Sequence, residues 1–419
     1  MSIKLRLTIM SFLQFFVWGA WLITIGTYCL NAKGWTFPQF GAIFSTLALA
    51  SLFMPALTGI IADKWLNAER LYGILHIVYG LILFYVPKVD DPGTLYYVIF
   101  GAMICYMPTI SLSNSIAYTI LKRDGFDVVK VFPSIRVWGT IGFIVAMWCT
   151  NLSGSKDNSN QFIIGAVGAI ILGIFFFFLP KCPPPKSIAK DAGFAEQMGL
   201  QAFKLFGNYK MALFFLFSML LGAALQLTNM YGDSFLTSFD KIEAFKDSFV
   251  VKYSTIILSI SQMSETLFIL TIPFFLKKFG IKKVMLFAML AWVLRFGLFA
   301  YGDPTAMGTV HIILSCIVYG MAFDFFNISG SLFVETSTDS SIRSSAQGLF
   351  MMMTNGVGAW LGSTVSGMVI GKYYINADGS SNWQGIWFAF AVYALVIAIL
   401  FAVLFKHKHV PEEVATVQH

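Results

Sequence analysis

Long apolar runs recur along the whole chain and are separated by short polar segments. About 20 consecutive apolar residues are enough for a helix to cross a bilayer. Because only helices and closed barrels satisfy their backbone in lipid, the pattern predicts an all-α integral membrane protein. Twelve transmembrane helices are predicted, at 7–30, 39–61, 70–87, 94–120, 133–153, 161–180, 210–232, 250–276, 283–301, 308–334, 344–371 and 384–405.

Composition and charge agree with a membrane protein. The 419 residues are 57% hydrophobic and only 12% charged, whereas soluble proteins have about 25% charged residues. Most of the 28 Lys and Arg residues fall in segments that, by the positive-inside rule, place both termini in the cytoplasm. The net charge of +7 therefore reflects topology, and no nucleic-acid partner is predicted. Lys4 and Arg6 precede a full-length first span, so no cleavable signal peptide is expected.

The longest polar segment, 181–209, opens with a run of prolines and is predicted to be a cytoplasmic linker. It divides an N-terminal half of six spans, 1–180, from a C-terminal half of six spans and a short cytoplasmic tail, 210–419. Span five opens with Ser-Ile-Arg at 134–136, and span eleven opens with the same tripeptide at 341–343. Such matches in corresponding places of the two halves indicate an internal repeat.

Four charged side chains lie inside apolar spans: Arg136, Glu265, Arg295 and Asp324. A charge at the bilayer centre costs roughly 2.5 kcal/mol or more and usually marks a substrate path or a proton relay. Because two of the four are cations and two are anions, the set can neutralise itself. Static ion pairs of the carboxylates with Arg295 or Arg136 are therefore the alternative to a functional role.

Seven long stretches carry a family resemblance. They are SFLQFFVWGAWL at 11–22, MPALTGIIADKWL at 54–66, FPSIRVWGTIGFIVAMW at 132–148, FSMLLGAALQLTNMYG at 217–232, SISQMSETLFILTIPFFLKKFGIKKVM at 259–285, YGMAFDFFNISGSLFVE at 319–335 and SSIRSSAQGLFMMMTNGVGAWLG at 340–362. These stretches resemble the bacterial nucleoside:proton symporters, the nucleoside and xanthosine permeases of the major facilitator superfamily. The resemblance implies the major facilitator fold of two six-helix halves around a midplane site. It also implies import of nucleosides by proton symport through alternating access across the bacterial inner membrane.

Two polar pairs in neighbouring spans are candidate sugar-binding groups. Gln226 and Asn229 in span seven, and Gln262 and Glu265 in span eight, are each three residues apart and share a helix face. Hydrocarbon cannot satisfy these donors and acceptors, whereas the hydroxyls of a ribose can. The alternative is that they join neighbouring helices, as polar residues in membrane bundles commonly do.

A stripe on span ten is the candidate for binding the base. Tyr319, Phe323 and Asn327 follow i, i+4 and i+8 and lie along one face. Aromatic rings can stack on a nucleobase, although packing is the commoner use of aromatic residues in a chain with 43 Phe. We predict that all three line the substrate site.

Span five offers a second stripe at i, i+4 and i+7, formed by Arg136, Thr140 and Phe143. It combines a cation, a hydroxyl and an aromatic ring, and we include all three among the predicted substrate-binding residues. For Arg136 a role in the cytoplasmic gate remains equally open. Arg343, at the matching position of span eleven, is predicted to be structural.

Proton coupling is assigned to the intramembrane carboxylates, first to Asp324 and secondly to Glu265. A carboxylate in a desolvated site can exist in both protonation states when a nearby charge offsets the cost of burial. Glu265 lies beside Gln262 in the predicted sugar-binding pair. Asp324 is therefore the better candidate for a group dedicated to the proton.

Other chemistries are not supported by the sequence. His76 and His311 are isolated and no CxxC occurs, so no metal site is expected. No phosphate-binding loop is present, so we expect no cofactor and a transporter driven by the proton gradient. We expect a monomer. The alternatives are a proton-coupled sugar or oligosaccharide symporter of the same fold and a facilitator without proton coupling. A membrane-embedded enzyme is disfavoured, because no catalytic constellation of residues occurs in any span.

Overall fold

The computed structural model describes residues 1–184, 200–339 and 342–408, and these residues are helical with no β-strand among them. They form two compact units, Met1–Met198 and Gly199–His419. The boundary falls inside the predicted linker 181–209. Residues 185–199 of that linker, Ser340, Ser341 and the tail from residue 409 lie outside the described residues, and Ser341 is the first residue of the tripeptide that opens span eleven.

Six long helices make up the first unit. Helix α1 packs along α5, α2 packs against α4, and α3 packs against both α4 and α6. A π-helical segment, Thr27–Ala32, completes the first predicted span after α1. The helices are α1 (Ile3–Gly19), α2 (Phe37–Lys64), α3 (Ala68–Tyr85), α4 (Pro92–Arg123), α5 (Val128–Leu152) and α6 (Asn160–Phe175).

Polar caps set where these helices begin. The Thr36 hydroxyl accepts a hydrogen bond from the Gln39 backbone N–H, and the Gln39 side-chain oxygen accepts one from the Thr36 backbone N–H, which forms a capping box at the start of α2. Asp91 accepts from the Thr94 amide at 2.7 Å at the start of α4. Such caps satisfy backbone N–H groups that have no partner inside the helix, so each span can begin at a short polar segment.

The second unit contains shorter helices as well as long ones. Helix α11 packs along α12 and α15, α10 packs against α12, and α7 packs against α14. A π-helical segment, Met352–Gly358, joins α13 to α14. The helices are α7 (Tyr209–Ser238), α8 (Phe249–Lys252), α9 (Ser254–Leu258), α10 (Ile260–Ile269), α11 (Ile272–Ala300, kinked at Gly280), α12 (Ala306–Ser337), α13 (Arg343–Met351), α14 (Ala359–Tyr373) and α15 (Trp383–Leu404).

Interruptions distinguish the structure from the predicted pattern of twelve uniform spans. Nine helices of the described residues are long and apolar enough to cross a membrane. The remaining predicted spans, 7–30, 250–276 and 344–371, each contain a break. The predicted span 250–276 is helical but irregular, and it comprises α8, α9, α10 and the start of α11. Pro273 lies in the first turn of α11 and ends the preceding helix, because proline lacks an N–H and clashes with the previous turn.

Glycines permit backbone contact between paired helices. A Cβ on Gly222 of α7 would fall against the Thr354 carbonyl, and a Cβ on Gly362 of α14 would fall against Ala223. Gly358 meets Met219 in the same way. The sequence motif Gly356-x-Gly358-x-x-x-Gly362 therefore serves close helix packing, as its position inside a span indicates.

We predict that Gly222→Ala lowers the thermal stability of the purified protein, because the added methyl group must displace the backbone of the π-helical segment. Overpacking of this kind costs roughly 1 to 3 kcal/mol. Gly348→Ala is the matched control, since Gly348 lies in α13 with open space where its Cβ would be. Intrinsic tryptophan fluorescence during heating in detergent measures both midpoints. Equal midpoints for the two variants would contradict the prediction.

Candidate functional site

A close backbone contact between α10 and α12 brings together predicted site residues of the C-terminal unit. A Cβ on Gly320 would lie 2.6 Å from the Ser264 carbonyl oxygen and 2.8 Å from the Glu265 nitrogen, so only glycine allows this approach. The Ser264 hydroxyl also donates to the Ile317 carbonyl across the same contact. The contact places the predicted acidic residue of span eight against the aromatic segment of span ten.

The predicted aromatic stripe forms a stack on α12. The rings of Tyr319 and Phe323 are 5.5 Å apart and inclined by 21°, and Trp292 of α11 meets Tyr319 edge-on at 5.9 Å. Asn327 uses its amide nitrogen within the helix, donating to the Phe323 carbonyl at 2.9 Å. Asn327 therefore keeps its side-chain oxygen and one amide N–H for a ligand.

The two intramembrane carboxylates of this unit lie close enough to interact electrostatically. Asp324 is only 4% exposed, and its Oδ2 atom has no hydrogen-bond partner. Glu265 is half-buried on α10. Two like charges in a desolvated site repel, so binding one proton between them is favourable. The arrangement is chemically suited to take up and release a proton.

Three of the predicted amides are not used to join helices. Gln226 and Asn229 on α7 and Gln262 on α10 are half-buried. Within the described residues their side chains donate and accept no hydrogen bond, and the Oε1 atom of Gln262 is buried without a partner. In hydrocarbon an unsatisfied amide costs several kcal/mol. These groups are therefore available to a polar ligand.

Among the described residues Arg295 forms no ion pair with either carboxylate, so the alternative of a static ion pair is not observed for this cation. Its Nη1 atom donates to the Ser315 carbonyl at 2.8 Å and to the Ser261 hydroxyl at 3.3 Å. Its guanidinium lies 4.5 Å from the centre of the Tyr319 ring. The reason is geometric: α11 presents this side chain to carbonyl and aromatic groups of its neighbours and not to an acid.

The structure adds an acidic residue that the sequence pattern missed. Asp233 is fully buried and accepts a hydrogen bond from the Ser254 hydroxyl at 2.6 Å. The predicted span seven ended at residue 232, whereas α7 continues to Ser238. Asp233 therefore links α7 to the start of α9, beside the break in span eight. A polar residue directly after the last apolar run was the signal available in the sequence.

The span-five residues of the N-terminal unit face α1. The Arg136 guanidinium lies 4.1 Å from the centre of the Phe15 ring, and Phe143 meets Trp18 edge-on at 6.2 Å. Thr140 is half-buried between them on α5. The predicted stripe is thus brought together with two aromatic residues of span one, and the choice between a substrate role and a gate role for Arg136 stays open.

A buried hydrogen-bond network supports the aromatic residues of α1. Gln14 is fully buried; it accepts from the Tyr72 hydroxyl at 2.6 Å and donates to Thr109 at 2.9 Å. Its carbonyl accepts from the Tyr106 hydroxyl at 2.7 Å, and the Tyr106 ring lies 5.5 Å from Trp18. Sequence reasoning missed this network, although a glutamine in the middle of span one was the signal for it.

Two further predictions concern groups outside these clusters. Arg343 forms an ion pair with Glu335 at 3.0 Å, in keeping with a structural role. His76 is buried with its ring 4.3 Å from that of Tyr72. In the part of the chain that the structure describes, no group of three His, Cys, Asp or Glu residues is arranged to hold a metal ion.

Comparison with known proteins gives consistent matches over the full chain. A family model described as nucleoside H⁺ symporter matches residues 1–410. Xanthosine permease of Escherichia coli is 52% identical over 99% of this chain and 98% of that protein. Nucleoside permease NupG of Escherichia coli is 52% identical over 100% of both chains. A crystal structure of nucleoside transporter NupG covers 97% of this chain and 100% of that one, with a TM-score of 0.91.

Proposed function

The chain belongs to the nucleoside H⁺ symporter family, and we propose that its C-terminal unit carries both a nucleoside-binding cluster and the proton-coupling carboxylates. The protein is a secondary active transporter that imports nucleosides with protons by alternating access, and it is not an enzyme. Its two relatives are named for xanthosine and for nucleosides, which disfavours the alternative of a sugar symporter.

The ribose is assigned to Gln226, Asn229, Gln262 and Glu265. The observation that carries this assignment is that the three amides have no hydrogen bond to another described residue although they lie in membrane-embedded helices. Sugar hydroxyls both donate and accept, so they can satisfy amide nitrogens, amide oxygens and a carboxylate together. A ligand of this kind removes the cost of leaving the amides unsatisfied.

The base is assigned to the stack of Tyr319 and Phe323. Its proximity to Glu265 through the α10–α12 contact supports the assignment, because base and ribose of one nucleoside must be bound together. Asn327 can contribute its side-chain oxygen and its remaining amide N–H. Arg136, Thr140 and Phe143 of the N-terminal unit stay predicted substrate-binding residues, supported by the aromatic surroundings of Phe143.

Proton coupling is assigned to Asp324, with Glu265 as its electrostatic neighbour. Asp324 is almost completely buried and has one carboxylate oxygen without a partner. Such a group binds a proton readily when its neighbour is charged and releases it when its surroundings open to water. Substrate binding at Glu265 can then change proton binding at Asp324, because the two carboxylates repel each other.

Membership of this family also supports an inference about membrane topology, location and oligomeric state. We infer twelve spans in two six-helix halves, of which the interrupted first, eighth and eleventh spans also cross the membrane, and both termini in the cytoplasm. The location is the bacterial inner membrane. We further infer a monomer that uses the proton gradient without a cofactor.

Binding residues can be separated from residues that join helices by alanine substitution. We predict that Gln262→Ala and Asn229→Ala weaken nucleoside binding without unfolding the protein, because neither side chain has an internal partner. Gln347→Ala is the matched control: its amide is paired with Ser331 at 2.8 Å and 3.1 Å. That variant is expected to keep normal affinity and lose about 0.6 kcal/mol of stability. Radiolabelled uridine binding to the purified variants is the measurement, and normal affinity for Gln262→Ala and Asn229→Ala would make these residues structural.

The sugar assignment is tested by changing the ligand. We predict that 2′,3′-dideoxyuridine binds more weakly than uridine by about 1 to 3 kcal/mol, because Glu265 and the amides are left facing an absent hydroxyl. In the Glu265→Gln, Gln262→Ala double variant the difference between the two ligands should shrink. Competition against radiolabelled uridine measures it, and equal competition by both ligands on the unmodified protein would mean that these side chains do not contact the ribose.

The coupling assignment predicts a separation of two transport modes. Asp324→Asn should abolish uphill accumulation driven by a pH gradient and retain exchange of internal for external nucleoside, since exchange needs only the loaded carrier to reorient. Glu265→Gln should instead weaken substrate binding first. Proteoliposomes loaded with nucleoside allow counterflow and pH-driven uptake to be compared for each variant. Accumulation against a gradient by Asp324→Asn would transfer the coupling role to Glu265.

A further inference from the structure

Arg295 is a buried cation that the transport roles proposed above do not use. It lies in the C-terminal part of α11, is only 2% exposed, and has no acidic partner among the described residues. Its Nε atom is buried without a hydrogen-bond partner. An arginine in such a place is unfavourable unless its surroundings compensate the charge.

Carbonyl, hydroxyl and aromatic groups supply that compensation. Besides the bonds to Ser315 and Ser261, the guanidinium lies 4.5 Å from the ring centre of Tyr319, 5.3 Å from Phe299 and 5.9 Å from Trp292. The negative faces of aromatic rings attract a cation most strongly where water is excluded. An apolar residue of similar volume fills such a site at lower cost, so packing alone does not account for an arginine here.

The residues that Arg295 contacts lie next to the candidate binding residues in sequence or belong to them. Ser261 directly precedes Gln262 on α10, and Ser315 lies one helical turn before Tyr319 on α12. The ring of Tyr319 contacts both the guanidinium and the ring of Phe323. Arg295 therefore contacts two of the three helices that carry the candidate binding residues, α10 and α12, and one ring of the aromatic stack.

We propose that Arg295 is a positioning residue for nucleoside binding, which acts through Tyr319 and Ser261. It fixes the ring plane of Tyr319 and the register of the α10 segment that carries Gln262 and Glu265. The rigid planar guanidinium suits this role, because it stacks on a ring and donates hydrogen bonds from one edge at the same time. The inference rests on the substrate roles proposed for Tyr319 and Gln262.

The test compares single and double variants in counterflow with radiolabelled uridine. Arg295→Gln is expected to raise KM roughly 10- to 100-fold, the scale of a misplaced binding group, with the maximal exchange rate little changed. Tyr319→Ala should also raise KM. Because both changes act on one contact, the Arg295→Gln, Tyr319→Ala double variant should be no worse than Tyr319→Ala alone.

Two further variants separate positioning from general stability. Phe299→Leu removes another ring beside the guanidinium and leaves Tyr319 in place, so its KM should stay normal even when its midpoint of thermal unfolding falls. Arg295→Lys keeps the charge and loses the planar face, so its KM should lie between those of the unmodified protein and Arg295→Gln. If Arg295→Gln does not fold, the KM of Arg295→Lys tests the proposal in its place.

The outcomes distinguish the inference from the function on which it rests. An unchanged KM in Tyr319→Ala overturns the substrate role of Tyr319 and the positioning role together. A raised KM in Tyr319→Ala with a normal KM in Arg295→Gln, or in Arg295→Lys where only that variant folds, overturns the positioning role alone. So does a double variant in which the two losses simply add, or a KM in Phe299→Leu raised as far as in Arg295→Gln.

Discussion

The structure depends on one constraint: a polar group inside a membrane-embedded helix bundle must find a partner within the protein. Most buried polar side chains of this protein meet it. Gln14 is satisfied by Tyr72 and Thr109, Thr24 by Gln161, and Asp233 by Ser254. Among the described residues, the amides of Gln226, Asn229 and Gln262 and the Oδ2 atom of Asp324 are exceptions that have no hydrogen bond inside the protein.

The two intramembrane arginines are both stabilised by an aromatic ring. Arg136 rests on the ring of Phe15, and Arg295 rests on the ring of Tyr319. Aromatic faces stabilise a cation without fixing a carboxylate as its permanent counter-ion. The guanidinium of Arg295 is thus held by aromatic and carbonyl groups, while Asp324 interacts electrostatically with Glu265. A carboxylate locked in an ion pair would stay ionised and could not carry a proton.

Breaks in the helices lie where polar groups concentrate. The end of α9 and the start of α10 precede Gln262 and Glu265, and Ser254 at the start of α9 binds Asp233. The π-helical segment Met352–Gly358 lies against Gly222, one turn before Gln226. Discontinuous helices are typical of the substrate sites of transporters, because irregular backbone is tolerated in a membrane only beside protein or a polar cavity. The interrupted spans and the unpaired amides thus point to the same region of the C-terminal unit.

Hydrophobic periodicity by itself determined that this is a helical membrane protein and approximately where most spans begin and end, because the length of an apolar run is set by the thickness of the bilayer. It also singled out Glu265, Asp324 and the amides, since any polar residue in such a run is exceptional. Spacing along one helix could not determine what a side chain meets on the next. Only the tertiary structure decided that Arg295 faces Tyr319 and not an acid, and that Gly320 of α12 packs against Ser264 of α10. These outcomes depend on contacts between different helices, and a glycine such as Gly320 permits the close approach of one helix to another.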